Sequence, residues 1–260
     1  MSSAVLLERV GRTSVITINR PEARNALTRD VIHGVRDAFF AANRDSETRC
    51  LVLRGQGQHF CAGADLRKNL MDDPNLMDHL EMYMDEYHSL IKAIVECEKP
   101  SIAALDGCAV GFGADLALVC DLRVATPEAY VQEKFVKIGL MPDGGGTFFL
   151  PRLVGTARAM QMILLADKVM GPELLSLGVV ARLVPSPELL ASALLVAQQI
   201  EQGPPLAYRE IRRALYASLG SIEDALRRER EGQLKLLRSA DCMEGIMSFM
   251  QKREPVFQGK

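Results

Sequence analysis

The sequence predicts an α/β protein on three observations. Short runs of β-branched and aliphatic residues alternate with longer stretches whose apolar residues recur at helical spacing. Three glycine-bearing loops punctuate the alternation, at Gly55 to Asp65, Gly107 to Gly113 and Gly139 to Gly146. From Pro187 onward the pattern turns almost wholly helical. The chain therefore divides into a strand-bearing core over residues 1–200 and a helical C-terminal region over residues 201–260.

Each element has its own signal. Thr13 to Asn19 is rich in β-branched residues and closes on Arg20-Pro21, since proline cannot continue a ladder. Thr28 then caps a helix reaching about Ala42, with Val31, Val35, Ala38 and Phe39 on one face. Cys50 to Arg54 is a short apolar strand, Asn75 to Cys97 a polar, Met-rich helix, and Ser101 to Leu105 a buried strand after Pro100. The second glycine loop opens a helix over about Gly113 to Cys120, and Leu122 to Ala125 is again a strand. Short helices and a strand at Val179 to Val184 follow the third loop. The tail reads as helices over Glu188 to Glu201, Leu206 to Leu219, Ser221 to Leu237 and Asp241 to Lys252.

Composition excludes several classes. The 260 residues carry 31 Lys+Arg against 33 Asp+Glu, a net charge of −2, which leaves no polybasic footprint for nucleic acid or anionic lipid. The longest apolar run, Leu189 to Ala197 broken by Ser192, is far short of the roughly 20 residues that span a bilayer. The N-terminus has neither the basic nor the apolar region of a secretory signal. Six scattered cysteines without a CxxC pair, and four isolated histidines, point to free thiols in a reducing cytoplasm and to no metal. Gly111 to Leu116 fails to complete GxGxxG, and no Walker A, HExxH or GxSxG string occurs, so nicotinamide, metal and serine-hydrolase chemistry lose their sequence support.

Two loops look built to present main-chain N–H groups. Ala62-Gly63-Ala64 is small enough to let a ligand reach the backbone, and Gly111 and Gly113 flank Phe112 where a helix begins. Two such donors converging on one oxygen make an oxyanion hole, although tight strand-to-helix turns have the same composition. The strings His59-Phe60-Cys61-Ala62-Gly63-Ala64-Asp65-Leu66, Lys99 to Gly107, Ala109 to Ala117 and Cys120-Asp121 closely resemble the enoyl-CoA hydratase/isomerase, or crotonase, superfamily. Asn19 to Leu27 and Arg253 to Lys260 match as well, so the resemblance covers essentially the whole chain.

The resemblance implies a spiral of ββα units with a helical C-terminal trimerisation region, assembled as a homotrimer or hexamer. It implies that the N–H groups of Ala64 and Phe112 hold the thioester oxygen of an acyl-CoA. It also implies that Ala23, Arg24 and Ala26, with Ala62, Asp65 and Leu66, contact the CoA moiety, and that Phe257 and Lys260 approach its nucleotide end. No cofactor is implied beyond the CoA carried by the substrate. Apolar residues of the tail, among them Leu226, Leu234, Leu236, Leu237 and Met247, suit oligomer contacts.

Within the family this chain departs from the hydratases, which carry two glutamates. The first position holds Asp115 and the second Phe135, an aromatic ring that cannot activate water and is expected to shape an apolar acyl pocket. Asp143 stands where most hydratases have glycine, and an aspartate there resembles the proton-transferring base of dienoyl-CoA isomerases. Phe135 to Asp143 is also similar to the ring-epoxide isomerases of phenylacetate breakdown. The expected activity is thus a double-bond or ring isomerisation with Asp143 as base and Asp115 as a second proton-transfer or orienting group. The alternatives are a 2-enoyl-CoA hydratase using Asp115, or an acyl-CoA binder without turnover. Both carboxylates also have structural readings, Asp143 as a turn or helix cap and Asp115 as a charge paired in a first helical turn. Glu133 is expected to face away from the site if its stretch is extended.

Overall fold

In the computed structural model, which describes residues 3–217 and 239–260, the strands form two sheets. The larger is built from β1 (Val5–Val10), β2 (Thr13–Ile18), β3 (Cys50–Gly55), β4 (Ser101–Leu105), β6 (Leu122–Ala125) and β9 (Arg182–Leu183), in that spatial order. Only β1, joined to β2 by a tight turn, is antiparallel. The smaller sheet orders β5 (Cys108–Val110), β7 (Tyr130–Gln132) and β8 (Val169–Met170).

The chain repeats one move. It runs along the large sheet, adds a short piece to the second layer, and returns through a helix. After β3, Cys61 bridges to Ala109 before α2 (Leu76–Val95); after β4 comes β5 and then α3 (Phe112–Leu118); after β6 comes β7 and then α4 (Gly146–Val154) and α5 (Thr156–Leu165). This is the spiral of ββα units that the resemblance implies.

Parallel strands buried on both faces explain why the sequence shows continuous apolar runs rather than alternation. Leu51 and Leu53 of β3 face the main core with α1 (Arg29–Arg44) and α2, while Cys50 and Val52 face α7 (Leu189–Glu201) through Leu189, Ala193 and Ala197. Cys50, Cys61, Cys97, Cys108 and Cys120 are buried free thiols that serve as small core residues.

Most expected elements stand within two or three residues of their positions. The large differences have local causes. β1 and β7 escape sequence reading because one is a polar edge strand and the other is three residues long. The strand expected over Val179 to Val184 shrinks to Arg182–Leu183, since Val179 and Val180 turn inward above α6 (Gly171–Ser176) with their N–H groups on the Leu174 carbonyl. In the tail, α8 (Pro205–Ala217) and α9 (Ala240–Gln251) are helical as expected. The helix expected over Ser221 to Leu237, with Leu226, Leu234, Leu236 and Leu237, lies outside the described residues; Met247 is exposed. Among the described residues no helix is long and apolar enough to cross a membrane.

Candidate active site

The two glycine loops meet. Cys61 donates its N–H to the Cys108 carbonyl at 2.9 Å, and the Val110 N–H returns to the Cys61 carbonyl at 3.0 Å, so the segments run side by side. Packing is close enough to require glycine: a Cβ on Gly63 would sit 2.6 Å from the Val110 carbonyl oxygen and 3.6 Å from the Phe112 nitrogen. Gly111 has φ 54°, which only glycine adopts without strain, at the turn that leads into Phe112. Neither the Ala64 nor the Phe112 N–H donates to another group among the described residues. α3 is only seven residues long, so the useful feature is these individual N–H groups rather than a helix dipole.

The neighbouring loop is braced in turn. Arg24 and Asn25 both take left-handed conformations, and the Asn25 amide ties the turn to the Gln56 and His59 carbonyls at 3.0 and 2.7 Å. Arg20 reaches the Ala26 carbonyl at 2.6 Å and the Asp65 carboxylate at 3.0 Å. The Ala62 N–H is committed to the Arg24 carbonyl and the Asp65 N–H to the Leu27 carbonyl. Of the segments expected to meet CoA, Ala23, Arg24 and Ala26 therefore lie against Ala62, Asp65 and the exposed Leu66 as one surface. At the C-terminus, the Asp241 carboxylate fixes Gln258 and Gly259, and the Asp241 N–H donates to the Lys260 carbonyl.

Behind the loops lies a group of carboxylates. Asp115, in the first turn of α3 and fully buried, accepts the Gly144 N–H at 2.9 Å on Oδ2, while its Oδ1 has no hydrogen-bond partner. Burial raises its carboxyl well above the usual range; the Gly144 amide and, more weakly, the Gly146 amide oppose that rise, and the charge of Asp143 adds to it. Asp143 is half-buried with Oδ1 unpartnered, and burial raises it too, against the pull of its own N–H and of His88. The third loop thus brings Asp143 and Asp115 together. Phe135 is buried in a 3₁₀ turn, Phe135–Ile138, with its ring tip 3.9 Å from where a Gly111 Cβ would be.

Sequence reasoning missed two contributors. Tyr87 of α2 stacks edge-on to Phe112 at 4.6 Å between centroids, and its hydroxyl accepts from Asn69 at 2.8 Å, which also holds the Leu27 carbonyl. Such a brace leaves no local signal, since Asn69 lies in a π-helical turn, Arg67–Met71, distant in sequence. The second is Glu133, expected to face away only if its stretch is extended; the extended chain ends at Gln132, and Glu133 and Phe135 are both buried with Lys134 exposed between them. Burial, then the charges of Asp115 and Asp143, push the Glu133 carboxyl well above its ordinary value.

A family model described as enoyl-CoA hydratase/isomerase matches residues 10–260. A probable enoyl-CoA hydratase of Rhodobacter capsulatus is 38% identical, with 95% of each chain covered. A 1,2-epoxyphenylacetyl-CoA isomerase of Escherichia coli is 34% identical, with 94% of each covered. Among solved structures, an enoyl-CoA hydratase from Polaromonas superposes with a TM-score of 0.92 at 31% identity, covering 97% of this chain and 99% of that one. Fold and sequence together define an enzyme with the crotonase-type α/β architecture: a mixed sheet core and a helical C-terminal region. The chain belongs to the enoyl-CoA hydratase/isomerase family, whose members process acyl-CoA. Similarity to the named hydratase exceeds that to the epoxide isomerase, so overall identity does not single out the phenylacetate-type enzymes.

Proposed function

We propose that the protein isomerises an acyl-CoA by moving a double bond or rearranging a ring, with Asp143 as the base. The observation that carries this reading is the state of the second hydratase position: it holds Phe135, buried beside the oxyanion loop, while Asp143 brings a half-buried carboxylate with a free oxygen to the same group. In the reading, CoA lies along Ala23, Arg24, Ala26, Ala62, Asp65 and Leu66, and the Ala64 and Phe112 N–H groups hold the thioester oxygen. Asp143 removes one proton from the acyl chain, and the electron pair of the broken C–H bond moves into the thioester as an enolate. A proton then returns at a different carbon. Each oxyanion donor in such a site is worth about 10² to 10³ in rate. A raised carboxyl at Asp143 suits the task, because a base works best when its affinity for the proton approaches that of its surroundings.

A second reading is supported by the 38% identical relative named a probable enoyl-CoA hydratase: water addition to a 2-enoyl thioester using Asp115. Asp143→Asn separates the two. Isomerisation of 3-enoyl and dienoyl-CoA substrates should fall by about 10² to 10⁴ with binding nearly unchanged. Parent-like isomerisation in that variant, with hydration abolished in Asp115→Asn, would leave the hydratase reading standing. The proposal extends to a homotrimer or hexamer held together by residues 201–260, working in the cytoplasm.

A further inference from the structure

Glu133 is a buried acid that the reading above leaves without a role. It is 1% exposed, and neither carboxylate oxygen has a hydrogen-bond partner among the described residues. Burying an unpaired charge costs several kcal/mol even after relaxation, so an ionised, isolated Glu133 is untenable. Of the charged groups that act on it, Asp115 of α3 acts most strongly. A Cβ on Gly146 would lie inside contact of Asp115 Oδ1 and 3.3 Å from Glu133 Oε1, so these two oxygens border the same small space. Gly146 leaves that space open. Asp143, from the loop before α4, is the third carboxyl facing them; His88 and Tyr87 of α2 face Asp143.

We propose that Glu133 is a positioning residue that holds a proton in common with Asp115, making the site a two-station proton relay rather than a one-base shuttle. The inference rests on the isomerase reading. Asp115 is anchored through Oδ2 by the Gly144 N–H, which leaves Oδ1 as the oxygen that shares the Glu133 proton. Asp143 takes a proton from the substrate as the C–H bond breaks and the enolate forms. Asp115 gives the shared proton to the other carbon, and the enolate electron pair forms the new C–H bond. The proton on Asp143 then passes to the Asp115–Glu133 pair, so the site returns to its starting state with no net gain or loss. A glutamate at 133 thus serves where Phe135 occupies the usual position.

The test is single-turnover isomerisation in D2O with enzyme equilibrated in D2O beforehand. The relay puts one deuteron in the product on the first turnover, because the returned proton comes from the enzyme. Glu133→Gln fills the same space but leaves Asp115 without a transferable proton. Label in the product should fall at least tenfold, kcat about 10²-fold with KM unchanged, and the pH profile should lose one limb. Glu133→Asp should restore part of each. Parent-like labelling and pH profile in Glu133→Gln, while Asp143→Asn is inactive, would overturn the relay and leave the isomerase standing. An active Asp143→Asn would instead remove the isomerase reading. Should the glutamine variant not fold, infrared spectroscopy of the parent with 13C-labelled glutamate decides: a protonated glutamate carbonyl band at pH 7 is expected, and carboxylate bands alone overturn the proposal.

Discussion

Gly113→Ala should disable the enzyme while leaving it folded. Gly113 lies inside α3 at an ordinary helical φ, so alanine meets no conformational strain and gains about 1 kcal/mol in helix propensity. The obstacle is space. The new methyl would sit 2.9 Å from both the Cys61 carbonyl carbon and its Cβ, and closer still to the carbonyl oxygen. Backbone on one side and helix on the other leave no flexible side chain to yield, so the two loops must part by about 1 Å, a misplacement that costs on the order of 10² in rate. Parting also strains the Cys61–Cys108 and Val110–Cys61 hydrogen bonds, each worth about 1 kcal/mol, so the propensity gain is more than offset and stability falls by about 1 to 3 kcal/mol. Urea unfolding and steady-state kinetics with an enoyl-CoA substrate, on the same preparation, check both numbers. A folded Gly113→Ala enzyme within threefold of the parent kcat would show that the Ala64 and Phe112 N–H groups do not hold the reacting oxygen.

Three other outcomes follow from the same geometry. Asp65→Asn removes the carboxylate that fixes Arg20, with both side chains mostly buried, so calorimetry should show CoA thioesters binding about tenfold more weakly, a loss of about 1.4 kcal/mol, with free acids unaffected. Burial raises Asp115, Glu133 and Asp143 above their unfolded values near 4, so their contribution to stability is complete below that pH and is lost as pH rises through the raised folded values. Glu133→Gln should therefore gain on the parent as pH rises above the unfolded value near 4, by about 1.4 kcal/mol per unit of elevation removed, and parallel urea curves would refute it. Sedimentation should find a trimer or hexamer at micromolar concentration, and a monomer would refute the assignment of residues 201–260 to assembly.

Legibility in the sequence follows burial and length. β3, β4 and β6 are plain because parallel strands covered on both faces must be apolar throughout, and α1 is plain because Val31, Val35, Ala38 and Phe39 share one buried stripe. The first two glycine loops are legible for a different reason: small residues are forced wherever main chains approach as closely as Gly63 does to Val110 and Gly113 to Cys61. β5 and β7 are invisible because three-residue strands carry no periodicity. Their pairing, Ala109 with Val131, follows from long-range order alone.

The carboxylates show how far pattern reaches. Asp115 and Asp143 are findable only through the family resemblance, since next to glycines alone each reads as a turn or cap residue; the Gly144 amide joins their loops by a hydrogen bond to Asp115. Glu133 has no such mark. Its neighbours Gln132 and Lys134 are polar, so the stretch reads as surface, yet the extended chain ends at Gln132 and Lys134 already sits at ψ 3°, turning into the 3₁₀ segment that buries Phe135. Strand alternation carries Glu133 inward, and the turn after it keeps it there, between α3 and the start of α4. Two constraints, neither visible in local composition, thereby bring a third carboxyl to a site that has room for few charges. Burial makes its worth to the fold negative at high pH, a cost that the proposed role in moving protons, rather than one in holding the structure together, would explain.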